Sequence, residues 1–383
     1  MAMQPHLFIQ RSLRAVAPAL CVAVPLLAAA QPQPPQRPAV PRLQAASAVK
    51  AVPPQTALPF KLRVVGGLAG VTQYTQLEAP FWSQELSRLS GGRFSADIVP
   101  FDRAGVPGME MLRLLQLGVV PFGTTLMSSL SAQYPQYTAA DLPGLNPSIS
   151  ALRTTVTAFR PYLEKALRDE HGIEPLAIYT YPAQVVFCKR PMARLSDLAG
   201  RRIRVSSAAQ ADFITAVGGI PVLTSFAQMR GSLESQESEC AVTGSMSGNT
   251  VGLHTMTSHL YPMPLTWGLA IFGANQAAWQ ALPADLRALL RAELPKLEAA
   301  IWDSADRETA DGIACSTGQP ECRGGSRGSM TLVPVSAQDE RRRKELFAST
   351  VLPRWLRRCT VRCADVWTRT IGPVHGIPAP PQP

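Results

Sequence analysis

Apolar and polar residues recur along most of this chain with periods that read as strands and helices, and between Leu195 and Asn249 the rhythm is densest. Ser196, Asp197 and Leu198 make a capped helical turn closed by Gly200. Ile203-Arg204-Val205 is a short strand that carries one Arg between two apolar residues. Ala208 to Val217 puts Phe213, Ile214 and Val217 on one helical face and stops at Gly218-Gly219. Ile220 to Val222 is a second strand and Phe226 to Leu233 a second helix. Cys240 to Thr243 is a third strand that opens into a small polar loop, Gly244 to Asn249. Strand, helix, strand, helix, strand is the pattern of a small parallel α/β lobe. Such sheets take ligands at the carboxyl ends of their strands, where Arg204 and the loop after Thr243 both lie.

The flanking segments read as a second lobe. Phe60 to Val65 is a strand, followed by the Gly-rich turn Gly66 to Gly70, whose backbone N–H groups and the side chains of Gln73 and Tyr74 are expected to face a cleft. Glu78 to Leu89 is a helix closed by Gly91-Gly92, Phe94 to Val99 a strand, and Met109 to Leu117 a helix. Val119 to Leu126 is a strand that brings Thr124 and Thr125 to the cleft edge, and Ser148 to Asp169 is a long amphipathic helix. Glu174 to Arg190 is two strands broken at Pro182, the first crossover between lobes, and Trp267 to Asn275 returns. Pro283 to Asp311 is a helix of about 43 Å, with Pro295 as a kink. Met330 to Val335 is a strand and Gln338 to Trp355 the last major helix. The expected architecture is α/β with two lobes, hinge crossovers and a long lobe-spanning helix. Residues 58–183 and 267–282 form lobe I and 184–266 lobe II. Residues 283–376 pack on both lobes, and 377–383 are a tail.

Composition narrows the setting. The 383 residues are 46% apolar and 17% charged, a globular balance, with a net charge of +10. Arg11 and Arg14, the apolar run Ala15 to Leu27 and the small residues Ala28 to Ala30 read as a secretory signal peptide over residues 1–30, and its removal leaves +8. Residues 31–57, rich in Pro, Gln and Ala, read as an extended spacer. The basic charge is spread out, and its densest run, Arg341 to Lys344, reads as the solvated face of a helix. No nucleic-acid module appears.

Beyond Cys21 six cysteines remain, an even number in an oxidising compartment. Of the 15 possible pairings, local proximity favours Cys315 with Cys322 and Cys359 with Cys363, which leaves Cys188 for Cys240. No zinc-type spacing occurs, so no metal is expected. Catalytic and cofactor readings fail on spacing. Gly244-Ser245-Met246-Ser247-Gly248 has Met at the centre of what would be a nucleophile elbow. His254 and His259 lack a zinc-helix arrangement, and the Gly66 turn lacks both phosphate-binding fingerprints. Glu234, Glu237 and Glu239 read as a solvated helix end. A binding protein rather than an enzyme is expected, with no cofactor.

DLAGRRIRV, the GGIPV step, the SFAQM helix and CAVTGSMSGN together resemble the solute-binding proteins of tripartite ATP-independent periplasmic (TRAP) transporters, of the dicarboxylate-binding type, over roughly Phe60 to Gly376. The resemblance implies a periplasmic subunit that closes on an organic acid by hinge motion. It then delivers the acid to a small and a large membrane subunit, which use an ion gradient. A receptor of the same fold that reports to a membrane sensor is the alternative. Arg204 matches the Arg that holds the ligand carboxylate in that family. Gln184 stands where well-known members carry a second Arg, and Thr243 where they carry Asn. Ser245, Asn249, Gln73, Tyr74, Thr125 and Trp267 complete the expected ligand-binding set, with Trp267 either stacking on the ligand or packing at the hinge.

Overall fold

A computed structural model describes residues 60–380. The expected signal peptide and spacer, and the last three residues of the expected tail, lie outside the described residues. Two sheets organise the chain. The first contains β1 (Phe60–Gly66), β2 (Phe94–Pro100), β3 (Phe122–Leu126), β4 (Ile173–Thr180) and β10 (Leu269–Asn275), in the order β2-β1-β3-β10-β4. β1 pairs in parallel with β2 and β3, and β10 runs antiparallel between β3 and β4. The second contains β5 (Gln184–Cys188), β6 (Arg202–Val205), β7 (Ile220–Leu223), β8 (Cys240–Gly244), β9 (His259–Thr266) and β11 (Thr331–Leu332), in the order β11-β9-β5-β8-β6-β7.

The parallel trio expected around Arg204 is present: β6 pairs in parallel with β7 and with β8. Antiparallel β5 and β9 widen this sheet beyond what periodicity showed. β9 was not expected because Pro262 and Pro264 interrupt it, and proline cannot donate to a ladder. The region read as a polar loop after Thr243 is instead a helix, Ser245–Thr250. The expected strand at Met330 shrinks to the two residues of β11.

Local chemistry accounts for the helix boundaries. Ser148 Oγ accepts the Ala151 N–H at 3.2 Å, and Gly172 closes the helix Ile149–His171 with φ 59°. Leu152, Val156, Phe159, Leu163 and Leu167 form its buried stripe. Ser207 and Ser225 cap the helices Ala208–Ala216 and Phe226–Glu234 in the same way. All three expected disulfides are formed. Cys188 and Cys240 face each other across the β5–β8 ladder.

The helix Ala284–Ser316 is 33 residues long, about 50 Å. It touches both sheets in sequence. Glu298 Oε2 accepts the Ile178 N–H at 3.0 Å and Trp302 Nε1 donates to Ile178 O at 2.8 Å, both on β4. One turn or two later, Thr309 Oγ1 accepts the Ala183 N–H at 3.0 Å, in the crossover between β4 and β5. Gly312 then meets the backbone of Met246, where a Cβ would stand 2.2 Å from its nitrogen. No helix among the described residues is long and apolar enough to cross a membrane.

The run Arg341 to Lys344 is solvated at three positions only. Arg343 is buried, bonded to Glu340 Oε2 at 2.9 Å and to the carbonyl of Gly144. Its neighbour helix face packs on the loop ahead of Ile149 rather than facing water.

Candidate functional site

Between the sheets run two crossovers, Tyr181–Ala183 and Trp267–Gly268, tied to each other where Tyr181 N–H donates to Gly268 O at 3.1 Å. Asp141 grips the second one, accepting the N–H groups of Trp267 and Gly268 at 2.8 Å each. Burial lifts the Asp141 carboxyl to about 6, against the pull of those N–H donors. Gly268 has φ +78°, and a Cβ there would lie 2.5 Å from Gln184 Nε2. Only glycine lets the crossover pass this close. Trp267 is buried, and its Nε1 donates to Asn146 O at 3.1 Å, so the side chain packs at the hinge rather than offering a face to a ligand.

On the second sheet, Arg204 is 2% exposed. Its Nε and Nη2 both donate to Thr224 O, at 3.1 and 2.8 Å, and Nη1 donates to Val242 O at 3.0 Å with Met229 Sδ at 3.7 Å. Three of the five N–H donors of the guanidinium are thus held by two carbonyls, one just past the end of β7 and one within β8, and a fourth faces Met229 Sδ. Arg204 forms no ion pair among the described residues. Asp212, the acid that could have paired with it, is bonded instead by Arg354 and Arg358 of the helix Leu352–Val366. Burial lowers the Arg204 pKa to about 10, so the group stays charged at neutral pH. The hydroxyl of Thr224, on the residue whose carbonyl braces Arg204, is buried without a partner.

The other residues expected on this lobe are engaged locally. Gln184 Oε1 accepts from Gln210 Nε2 at 2.7 Å, and Gln210 also bonds Thr266 Oγ1 at 2.8 Å and the Ser206 N–H at 2.8 Å. Thr243 is buried in β8 opposite Val185. Ser245 Oγ donates to the carbonyls of Glu308 and Thr309, at 3.2 and 2.9 Å. Asn249 donates to Ser316 Oγ and Ser326 O and accepts the Ser326 N–H. Ser245 and Asn249 therefore fasten the helix Ser245–Thr250 to the spanning helix and to the loop that follows Cys322.

On the first sheet two of the expected free N–H groups of the Gly-rich turn are taken. Gly67 N–H donates to Glu78 Oε2 at 2.7 Å and Ala69 N–H to Asp102 Oδ1 at 3.0 Å. Glu78, absent from the residues expected to bind ligand, is 1% exposed, and its Oε1 accepts the Thr124 hydroxyl at 3.2 Å. Burial raises its carboxyl to about 7, opposed by the bonds from Gly67 and Thr124 and by the Gln73 amide beside it. Nothing in the sequence marks it, because a Glu near the start of a helix is the commonest of surface residues. Gln73 is 5% exposed with neither amide atom bonded, and the buried hydroxyls of Tyr179 and Tyr181 are also unpartnered. Burial first, and then the charge of Glu78, raises the pKa of Tyr74, Tyr179 and Tyr181. Tyr74 lies half-buried, its ring against Gly66. Thr124 and Thr125 point to opposite faces of the sheet, as successive strand residues must. Thr124 therefore joins Glu78, while the unpartnered Thr125 hydroxyl is buried on the other face.

Asp311, Cys315 and Cys322 lie together, but both sulfurs are in the disulfide and are not free to ligate a metal.

A family model described as bacterial extracellular solute-binding protein, family 7 (DctP), matches residues 66–314. A solute-binding protein of Roseobacter denitrificans is 23% identical over 204 residues, 51% of this chain, and the match spans 62% of that relative's length. Among solved structures, DctP7 of Bordetella pertussis, an extracytoplasmic solute receptor binding pyroglutamic acid, is 21% identical with a TM-score of 0.69, over 80% of this chain and 99% of that one. A TRAP periplasmic solute-binding protein of Desulfovibrio salexigens, with bound orotic acid, is 14% identical with a TM-score of 0.72, over 83% and 99%.

Proposed function

The chain belongs to the bacterial extracellular solute-binding proteins of family 7, and from that premise we propose that it captures a small organic acid between its lobes in the periplasm. It then passes the acid to the small and large membrane subunits of a TRAP transporter. Binding and release, not turnover, are the chemistry.

The observation that carries this reading is Arg204. A guanidinium removed from water without a counter-charge is costly. Its position, at the carboxyl ends of parallel strands, is where open α/β sheets take ligands. A carboxylate arriving at the remaining Nη2 N–H and the Thr224 hydroxyl supplies the missing charge. The braces from Thr224 O and Val242 O fix the guanidinium before the ligand comes, so little rotamer freedom is lost on binding. The Bordetella and Desulfovibrio proteins of the same fold hold pyroglutamic and orotic acids, both carboxylic acids. The paired crossovers, gripped by Asp141, are the hinge about which the lobes close. A closed pair of lobes presents a surface that the open pair lacks, and this is what the membrane subunits read.

A thermal-shift screen against small organic acids, run on the wild type and on Arg204→Met, tests the reading. An acid at 100 times its dissociation constant stabilises by about 2.7 kcal/mol, a shift of several degrees in the wild type that falls to about half or less in the variant. Equal shifts in both would make Arg204 a strand brace only. No shift with any acid would remove the acid-binding assignment.

A further inference from the structure

We propose that the helix Leu352–Val366 straps the two lobes together and that Asp212 is its catch. The ion pairs of Asp212 with Arg354 and Arg358 hold the second lobe in the arrangement of this structure, and movement of the cleft works against them. This rests on the hinge assigned above and adds a contact that sets how freely it turns.

The chain passes between the lobes once more near its end. β11 pairs with β9, and Asp339 of the helix Ala337–Leu346 accepts the Leu195 N–H at 3.2 Å, so this part goes with the second lobe. The helix Leu352–Val366 goes with the first. Its Trp355 is buried and donates through Nε1 to Pro135 O at 2.8 Å, and its Arg362 pairs with Glu170 of the helix Ile149–His171 at 2.6 Å. From the same helix Arg354 and Arg358 reach back across the seam to the buried carboxylate of Asp212, Arg354 at 3.4 Å. Arg358 also donates to Ala208 O at 3.3 Å, and the Ala208 N–H donates to Ser131 Oγ of the first lobe at 3.4 Å.

The two grips of the helix differ in kind. Toward the first lobe it is held by a buried indole as well as an ion pair. An indole comes away only by exposing a large apolar surface. Toward the second lobe it holds Asp212 with two partly exposed guanidinium groups, and such pairs are weak enough to be made and broken in the folded state. The seam therefore yields at Asp212. The bridge Cys359–Cys363 ties the turn that carries Arg358 to the turn that carries Arg362, so the helix joins its two grips as one rod. Asp212 lies in the helix Ala208–Ala216, which follows directly on the strand of Arg204, so the catch moves with the anchor.

Pulsed electron paramagnetic resonance on the dialysed protein tests this. Spin labels are placed on unnatural residues at Val119 and Ile220, one exposed position on each lobe. Asp212→Asn keeps the shape of the side chain and removes its charge. It should shift the balance between lobe separations by about fivefold, and Arg358→Gln should shift it the same way. Arg362→Gln breaks a pair of the same chemistry within the first lobe and should leave the distances as in the wild type. Arg358→Gln carries the test should Asp212→Asn not fold. Distances unchanged in both catch variants, or altered as much by Arg362→Gln, overturn the proposal and leave Asp212 a role in stability alone. No acid enters the measurement, so the acid-binding reading stands or falls separately on its thermal-shift screen.

Discussion

The two faces of the cleft are built on opposite plans. On the second lobe the polar groups around Arg204 are mostly spent within the protein, the Thr224 hydroxyl apart. Gln184, Gln210 and Thr266 form one closed network, Ser245 and Asn249 hold the spanning helix and its loop, and Arg204 is braced by two carbonyls. On the first lobe Gln73, Tyr179 and Tyr181 are buried without a well-aligned hydrogen bond, with Gln73 set beside Glu78 and Tyr181. On the acid-binding proposal, the braced face of the second lobe presents a fixed charge at little entropic cost and would anchor the ligand.

The largest effect that could break this comparison is a dependence of stability on pH. The unfolded chain ionises Glu78 near the ordinary value of 4.5, the folded chain only near 7. Folding therefore favours the protonated carboxyl. The contribution of this group is fully present below about pH 4.5, is lost as the pH rises towards 7, and stays lost above it. Its size is on the order of 3 kcal/mol. Asp141, raised to about 6, acts with the same sign. Urea midpoints at pH 5 and pH 8 should therefore differ less in Glu78→Gln than in the wild type, and an equal difference would mean that Glu78 is not the desolvated group described. Next in size is the anchor. Arg204→Met should remove about 1.5–3 kcal/mol of acid affinity by calorimetric titration, roughly 10- to 150-fold in Kd. An unchanged Kd would make Arg204 a strand brace and leave the second lobe without its anchor.

Smaller effects sharpen the contrast. Ser245→Ala removes a donor to two carbonyls of the spanning helix and should cost about 1 kcal/mol of stability. Its acid Kd should not change, and a weaker Kd by calorimetry would return Ser245 to the binding set. Smallest is Thr125→Val, which deletes a buried hydroxyl without a partner on the face away from Glu78. Denaturation should show no loss of stability and titration no change in affinity. Weaker binding there would move part of the site to the other side of the sheet.

The positions of Arg204 and Glu78 show how unevenly the site was legible. Arg204 sits in a four-residue strand flanked by helices with Ser caps and Gly stops, and each of those signals is local. Its place at a strand end followed from pattern alone. Glu78 acquires its character from Gly67, eleven residues earlier, and Thr124, forty-six residues later. No period in the sequence encodes that meeting. The helix Ser245–Thr250 was hidden for a related reason. Ser, Gly and Asn weaken a helix in isolation, and it is the close approach of Gly312 and the bond from Ser245 that hold it.

By itself the sequence determined most of the order of strands and helices, β9 and the helix Ser245–Thr250 apart, a disulfide pairing that matches the structure, the long helix and the strand that carries Arg204. Those depend on spacing within a segment, on capping residues and on the few ways cysteines close short loops. The tertiary structure alone decided which polar residues are free. Ser245, Asn249 and Trp267 have the chemistry of ligand contacts, yet folding spends them on the spanning helix, its loop and the hinge. Gln73 and Tyr181 have no more chemistry than these and are left without a well-aligned hydrogen bond. Whether a donor finds an acceptor depends on segments that return from far along the chain, and only packing of the whole brings them together.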